Sequence, residues 1–346
     1  MSIDFRQGLA ALLTVLALVG CGPVSVPLQL EDPTLNQVWP APPDISRIKL
    51  LRSLEGVEDL VDQTQTKNRL FRWLTGDMAE QVPLVSPYGI ATDGQGTIWV
   101  TDPGAHAVHV LDLKRRRGRL WTLAGDELFL GPAGIAYDPS RERVYVADAQ
   151  LKKVVAFSRQ GKVVASLAPE IPFGRPGGMA VDMQGNLLVA DVIKGVIRRF
   201  SPTGEELPEL GSPTTPNGHF NRPIGLALDG NGLIYVIDSL NFRIEVIDPA
   251  GEAVASIGEL GDQPGTFSRP RGIAVDSFGH IYVADAAFDN IQIFNLKGQL
   301  LLVFGGGGEH GLSLPAGLSV DAQDRIYAVD SFNHRIQIYQ FLGNVD

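Results

Sequence analysis

The sequence predicts an all-β protein: a closed ring of six small antiparallel sheets, each of four strands. Three observations carry this. The signature Pro-x-Gly-apolar-small-x-Asp occurs six times, with its glycine at 89, 134, 178, 225, 272 and 317. Each copy is followed by a second apolar run: Ile98-Trp99-Val100, Val144-Tyr145-Val146, Leu187-Leu188-Val189, Ile234-Tyr235-Val236, Ile281-Tyr282-Val283 and Ile326-Tyr327-Ala328. An aspartate stands two residues beyond each run, at 102, 148, 191, 238, 285 and 330. A repeat of about 45 residues is the length of one blade of a β-propeller.

Residues 270 to 294 show how one unit is written. Gly272-Ile273-Ala274-Val275, Ile281-Tyr282-Val283-Ala284 and Ile291-Gln292-Ile293-Phe294 are rich in β-branched and aromatic residues, the composition of strands. Asp276-Ser277-Phe278-Gly279 separates the first two. There the carboxylate can cap backbone N–H groups and the glycine accepts a positive φ. Such a meander has a bare face and open edges, so it needs neighbours.

Composition agrees. The chain has 346 residues, 44% hydrophobic and 20% charged, enough for a large core. Its 39 glycines and 23 prolines suit many tight turns. A net charge of -10 repels phosphate backbones, so no nucleic acid partner is expected. The single cysteine, Cys21, excludes an intrachain disulfide.

In chain order, residues 1–20 read as a signal peptide. Leu9 to Val19 is apolar, too short to span a bilayer but suited to an h-region. Arg6 supplies positive charge and Asp4 dilutes it. The run ends Leu18-Val19-Gly20-Cys21, which resembles the lipobox of bacterial lipoproteins. That resemblance implies cleavage before Cys21 and acylation of its thiol and new amino group. Gly22, where an Asp would imply inner-membrane retention, points to the outer membrane. A plain secretory signal, or a buried helix with an incidental cysteine, stays open. Residues 21–46 carry prolines at 23, 27, 33, 40, 42 and 43 and read as an extended tether. The other reading is an ordered arm docked through Trp39. Residues 47–68 form an N-terminal arm in which Arg47 to Leu54 alternates enough to be a strand.

The propeller is expected over 69–341. Fourth strands are read near Leu120 to Ala124, Val163 to Leu167, Leu207 to Gly211, Ala253 to Gly258 and Leu300 to Gly305. The last repeat ends at Tyr339 with too little chain left for a fourth strand. Phe71 to Thr75 lies in Leu70-Phe71-Arg72-Trp73-Leu74-Thr75-Gly76-Asp77, which is similar to Leu120-Trp121-Thr122-Leu123-Ala124-Gly125-Asp126. It is therefore expected to fill the gap and lock the ring.

The repeats resemble NHL repeats. The family segment Asp-x-x-Asn-x-Arg-Ile-x-Val is matched at Asp238 to Val246 and, with Ile338 last, at Asp330 to Ile338. The fifth copy departs with Asp289-Asn290, the second and third with Lys152-Lys153 and Lys194-Gly195, and the first with Ala105-His106-Ala107. The resemblance implies a propeller of four-stranded blades and does not by itself specify an activity.

Twelve aspartates recur, two per repeat. They are read as turn caps and partners of Arg243 and Arg335, since an identical role in six copies argues for architecture over a metal ring. The loops joining one unit to the next vary and gather on one face in this fold. They carry Phe129, Phe173, Arg175, His219, Arg222, Arg269, Glu309 and His310. Arg175, Arg222 and Arg269 each precede a repeat proline. They could hold a carboxylate-bearing peptide or partner, or form local ion pairs with the aspartates. Propeller lyases and lactonases use histidines or acids with a divalent metal at the channel mouth. No dense set of that kind is found here, and neither metal nor cofactor is expected. Lys114-Arg115-Arg116-Arg117 reads as a solvated hairpin tip. The expected function is a non-enzymatic scaffold lipoprotein of the bacterial envelope, extracytoplasmic, anchored through Cys21 and binding a protein or peptide. The alternative is a metal-dependent lyase or hydrolase at the channel mouth.

Overall fold

The structure, a computed structural model, describes residues 28–60, 83–167, 169–211 and 220–343. Its sheets form a six-bladed propeller. The innermost strands are Ile90–Thr92, Pro132–Asp138, Pro176–Val181, Pro223–Leu228, Pro270–Val275 and Pro315–Val320. Each packs against the next, and the last returns to the first. In blades one to five, four consecutive strands run outward in antiparallel order. Both ends of each strand thus lie on opposite faces of the ring. One face carries the hairpins joining first to second and third to fourth strands. The other carries the turns joining second to third strands and the loops between blades.

The recurrent glycines set how closely the blades meet. A methyl group on Gly178 would lie 2.7 Å from the Cα of Gly225. On Gly317 it would lie 2.6 Å from the Tyr88 carbonyl oxygen. On Gly134 and Gly272 it would collide with the carbonyls of Gly177 and Ala316. The Gly317 N–H donates to that Tyr88 carbonyl at 2.7 Å, so the inner ring is closed by hydrogen bonding as well as packing. Outward the blades diverge, and six apolar clusters fill the wedges between neighbours. The core is therefore distributed between blades, and each sheet is buried by the two beside it.

The sixth blade is completed from the N-terminal side, as expected, but by a different strand. Arg335–Phe341 pairs antiparallel with Ile48–Leu54, from Ile48 opposite Phe341 to Leu54 opposite Ile336, with a bulge at Leu51. The outer position assigned to Phe71 to Thr75 is thus occupied by Ile48–Leu54, the strand expected within the N-terminal arm, and the propeller begins at Ile48. Residues 70 to 76 lie outside the described residues. Ile48, Leu50 and Leu54 are fully buried, which the alternating pattern of the segment foreshadows.

Residues 28–46 are not a free tether. Val38–Trp39 adds a fifth strand to the blade. The Trp39 ring packs on Phe304 and Tyr339, with centroids 5.9 and 5.8 Å away. The Leu28 N–H reaches the Leu113 carbonyl at 3.0 Å. The ordered arm docked through Trp39 is the reading that holds. Residues 1–20 and Cys21 lie outside the described residues.

Gly272→Ala should lower unfolding free energy by roughly 3 kcal/mol, because backbone cannot retreat from a new Cβ. Gly230→Ala, where a Cβ meets nothing within 4 Å, should change it by less than about 0.5 kcal/mol. Leu50→Ala should cost about 2–5 kcal/mol and speed amide exchange in 335–341. Denaturant titration and hydrogen exchange check all three.

Candidate functional site

The repeated aspartates build the two faces. Asp93, Asp138, Asp182, Asp229, Asp276 and Asp321 accept N–H groups within their own hairpins, such as Gln95 and Thr97 on Asp93 at 2.8 Å. The second set, at 102, 148, 191, 238, 285 and 330, is essentially fully buried. Each reaches back to the loop before its own blade. Asp191 accepts the N–H groups of Gly174 and Arg175 at 2.8 and 3.0 Å. Asp285 accepts those of Ser268 and Arg269 at 2.8 and 2.9 Å. Arg243 and Arg335 pair with Asp238 and Asp330 at 3.2 and 2.6 Å. The architectural reading of these carboxylates holds. Among the described residues no three His, Cys, Asp or Glu side chains converge as a metal site.

In blade one the capping aspartate has an added partner. His109 Nε2 lies 3.3 Å from Asp102 Oδ2, and both residues are buried. Burial works against the Asp102 carboxylate. The His109 ring and the N–H groups of Val85, Ser86 and Ala105 outweigh it and hold the carboxyl below its usual range. A further row of buried polar side chains on the third strands ties down the loops. Arg198 donates to the Ile171 carbonyl at 2.7 Å, Gln292 to Thr266 at 2.9 Å and Gln337 to His310 at 3.0 Å. The sequence reading passed over this row. Its signal is a polar residue at the centre of an apolar third strand.

This scaffold leaves a concave mouth over the channel on the loop face. The cavity is about 460 Å³ and is bounded by Tyr88, Gln150, Arg175, Ile224, Arg269 and Arg271 among others, with no acidic residue in its wall. Arg175 and Arg269 are exposed. Their backbone N–H groups serve the buried aspartates, yet neither guanidinium pairs with a carboxylate among the described residues. Arg271 is half-buried on the innermost strand. Its guanidinium carbon lies 6.0 Å from the Tyr88 ring centroid, on the first blade. Burial and the nearby Arg269 push the Arg271 guanidinium below the usual arginine range, against a pull from Tyr88. An arginine still keeps its charge there, so the mouth is positive on a chain of net charge -10.

The expected face is thus assembled in part. Arg175 and Arg269 meet at the mouth. Arg222 is exposed but outside its wall, with a left-handed backbone at φ 62°. Phe129 belongs to the core and not to the face: it is 1% exposed and packs against Phe157. Phe173 is equally buried, against Phe200. These rings plug the wedge between blades, as do Phe220 and Phe267. His310 is half-buried and holds Gln337 through its carbonyl. His219 lies outside the described residues. Arg271 and Tyr88 were missed. They occupy the variable place of Pro-x-Gly, which elsewhere holds Ala133, Gly177, Ile224 and Ala316.

Comparison with known proteins agrees with this architecture. Three stretches, 220–247, 267–294 and 312–339, match the NHL repeat. Residues 122–220 match the SMP-30/Gluconolactonase/LRE-like region. Peptidylglycine alpha-amidating monooxygenase of Rattus norvegicus is 31% identical over 137 residues, covering 35% of this chain and 14% of that protein. The chain thus matches only a small part of that relative. Among solved structures, a virginiamycin B lyase from Staphylococcus aureus with quinupristin superposes with a TM-score of 0.56 at 13% identity, covering 75% of this chain and 96% of that one. A chain of a nidogen/laminin complex gives 0.56 at 18% identity, covering 69% and 86%. At such identities the likeness is one of fold.

Asp102→Asn should cost roughly 2 kcal/mol at neutral pH. A folded-state pKa below the unfolded one means stability present above about pH 4 and lost as pH falls through the folded value. The gap between wild type and Asp102→Asn should therefore close on acidification, as read by unfolding at stepped pH.

Proposed function

We propose that this chain is a non-enzymatic binding lipoprotein of the bacterial envelope, holding a protein or peptide partner on its loop face by a carboxylate of that partner. One observation carries the reading: Arg175, Arg269 and Arg271 border one concave mouth that contains no acid. Guanidinium groups fit carboxylates in paired hydrogen bonds, and a half-buried one does so in reduced dielectric. The volume falls in the range of ligand pockets. The wall also offers apolar surface from Ile224, Val192 and the repeat prolines, suited to the body of a peptide. The lipobox-like end at Cys21 supports attachment to the outer membrane, several acyl chains being what stable anchoring needs.

A second reading, a metal-dependent lyase or hydrolase at the same mouth, draws on the likeness to a lyase fold and to an amidating enzyme. The residues of the wall favour binding, since none is a histidine or a carboxylate.

Peptides with free and amidated C-termini, titrated by calorimetry, separate these. The free acid should bind at least about tenfold more tightly, and Arg271→Met should remove that difference. Equal binding of both peptides would sink the carboxylate reading. Metal retained in stoichiometric amount after purification would favour the enzyme. Palmitate labelling should disappear in Cys21→Ala.

A further inference from the structure

We propose that the opposite, hairpin face carries a phosphate-binding pocket on blade one, and that this pocket seats the ring on an anionic lipid surface. For its orientation the proposal rests on the anchor suggested above. The fourth strand of blade one, Arg117–Trp121, is an outer edge with Arg117 and Arg119 exposed. It follows the tip formed by Lys114, Arg115 and Arg116. From blade two, the turn Arg159-Gln160-Gly161-Lys162 packs onto it, with Gly161 against the Trp121 indole.

Between them lies a cavity of about 170 Å³, walled by Arg115, Arg117, Arg119, Arg159 and Trp121. Its one acid, Asp112, is already engaged by the Arg115 N–H and guanidinium at 2.8 and 3.1 Å. Arg159 pairs with Asp93 and lies 3.8 Å from Glu142. Among the described residues Arg117 and Arg119 have no acidic partner. A small cavity with four guanidinium groups suits a tetrahedral, multiply charged oxyanion better than a planar apolar group.

The course of the chain says where that anion comes from. The N-terminal arm reaches the ring at Leu28, whose N–H binds the Leu113 carbonyl at 3.0 Å, one residue before the basic tip. Six residues separate Leu28 from Cys21, seven chain steps that span at most about 25 Å. An acylated Cys21 would therefore hold the membrane surface close to the pocket. Lipid phosphates would meet this edge, while the arginine-lined mouth would face away from the bilayer. Each basic side chain near an anionic surface adds to attachment, within roughly a Debye length.

The test uses the full chain with Cys21→Ser, sedimented with vesicles of phosphatidylcholine alone or with added phosphatidylglycerol. Residues 9–19 can enter both kinds of vesicle, so the readout is the ratio of the two affinities. At about 0.1 M salt the anionic vesicles should be preferred roughly tenfold or more, and near 0.5 M the preference should vanish. Arg117→Glu with Arg119→Glu should abolish it without lowering thermal stability, both side chains being exposed. Arg175→Glu with Arg269→Glu, on the other face, should leave it unchanged. Equal affinity for both vesicles, or a preference surviving the Arg117/Arg119 pair, overturns the proposal. Inorganic phosphate binding by calorimetry alongside equal vesicle affinity assigns the pocket to a free anion and overturns the lipid source. Palmitate labelling reads the anchor separately, so an unlabelled Cys21 removes the anchor while the vesicle ratio still decides the pocket.

Discussion

The ring depends on how closely six innermost strands can approach. At Gly134, Gly178, Gly272 and Gly317 a Cβ would strike the backbone of the next blade. Closing six sheets around so small a circle requires hydrogen in place of a side chain at that height. The same geometry forces the sheets apart further out. Large side chains must then fill the widening wedges, which is why Trp99, Tyr235, Tyr282 and Tyr327 on the second strands are almost fully buried. Phe129, Phe173, Phe220 and Phe267 do the same from the loops. Small residues inside and aromatic residues outside are two consequences of one radial constraint.

The buried aspartates make the loop face usable. A loop crossing between blades exposes backbone N–H groups that no strand satisfies, and the second aspartate of each repeat takes up this role. The division of labour is clearest at Arg175 and Arg269. Their amides are committed to structure, while their side chains are spared from pairing with the very carboxylates that hold them. The repeated part of the motif thus supports a surface whose chemistry can vary from blade to blade.

That division also explains what could be read in the sequence. Blade number, strand order within a blade and the work of the aspartates were legible because six copies repeat them in register. Closure was legible only as a need. Ile48 to Leu54 alternates like a strand, but its partner lies nearly the whole chain away, and no local pattern marks a pairing at that separation. Phe71 to Thr75 was favoured because it looks like the fourth strand after blade one, and likeness of composition does not fix position. Phe129 was misread for the reverse reason. A single aromatic in a loop suggests a face, whereas its recurrence at 173, 220 and 267 is the spacing of the repeats and so belongs to the wedge. Arg271 stood inside the signature itself, where a conserved-looking frame drew notice away from its one variable place.

Departure from symmetry is therefore the useful guide to function in such a ring. Whatever all six blades share must serve closure, because closure is what all six have in common. The arginine at 271, the tyrosine at 88 and the basic outer edge of blade one are each found once. They also fall on different ends of the channel axis, since antiparallel strands send the hairpins to one face and the inter-blade loops to the other. The N-terminal arm arrives at the hairpin face beside Leu113, so chain path alone sets which face of the ring residue 28 adjoins. The arginine-lined mouth lies on the other face, and no residue of that arm stands in its wall.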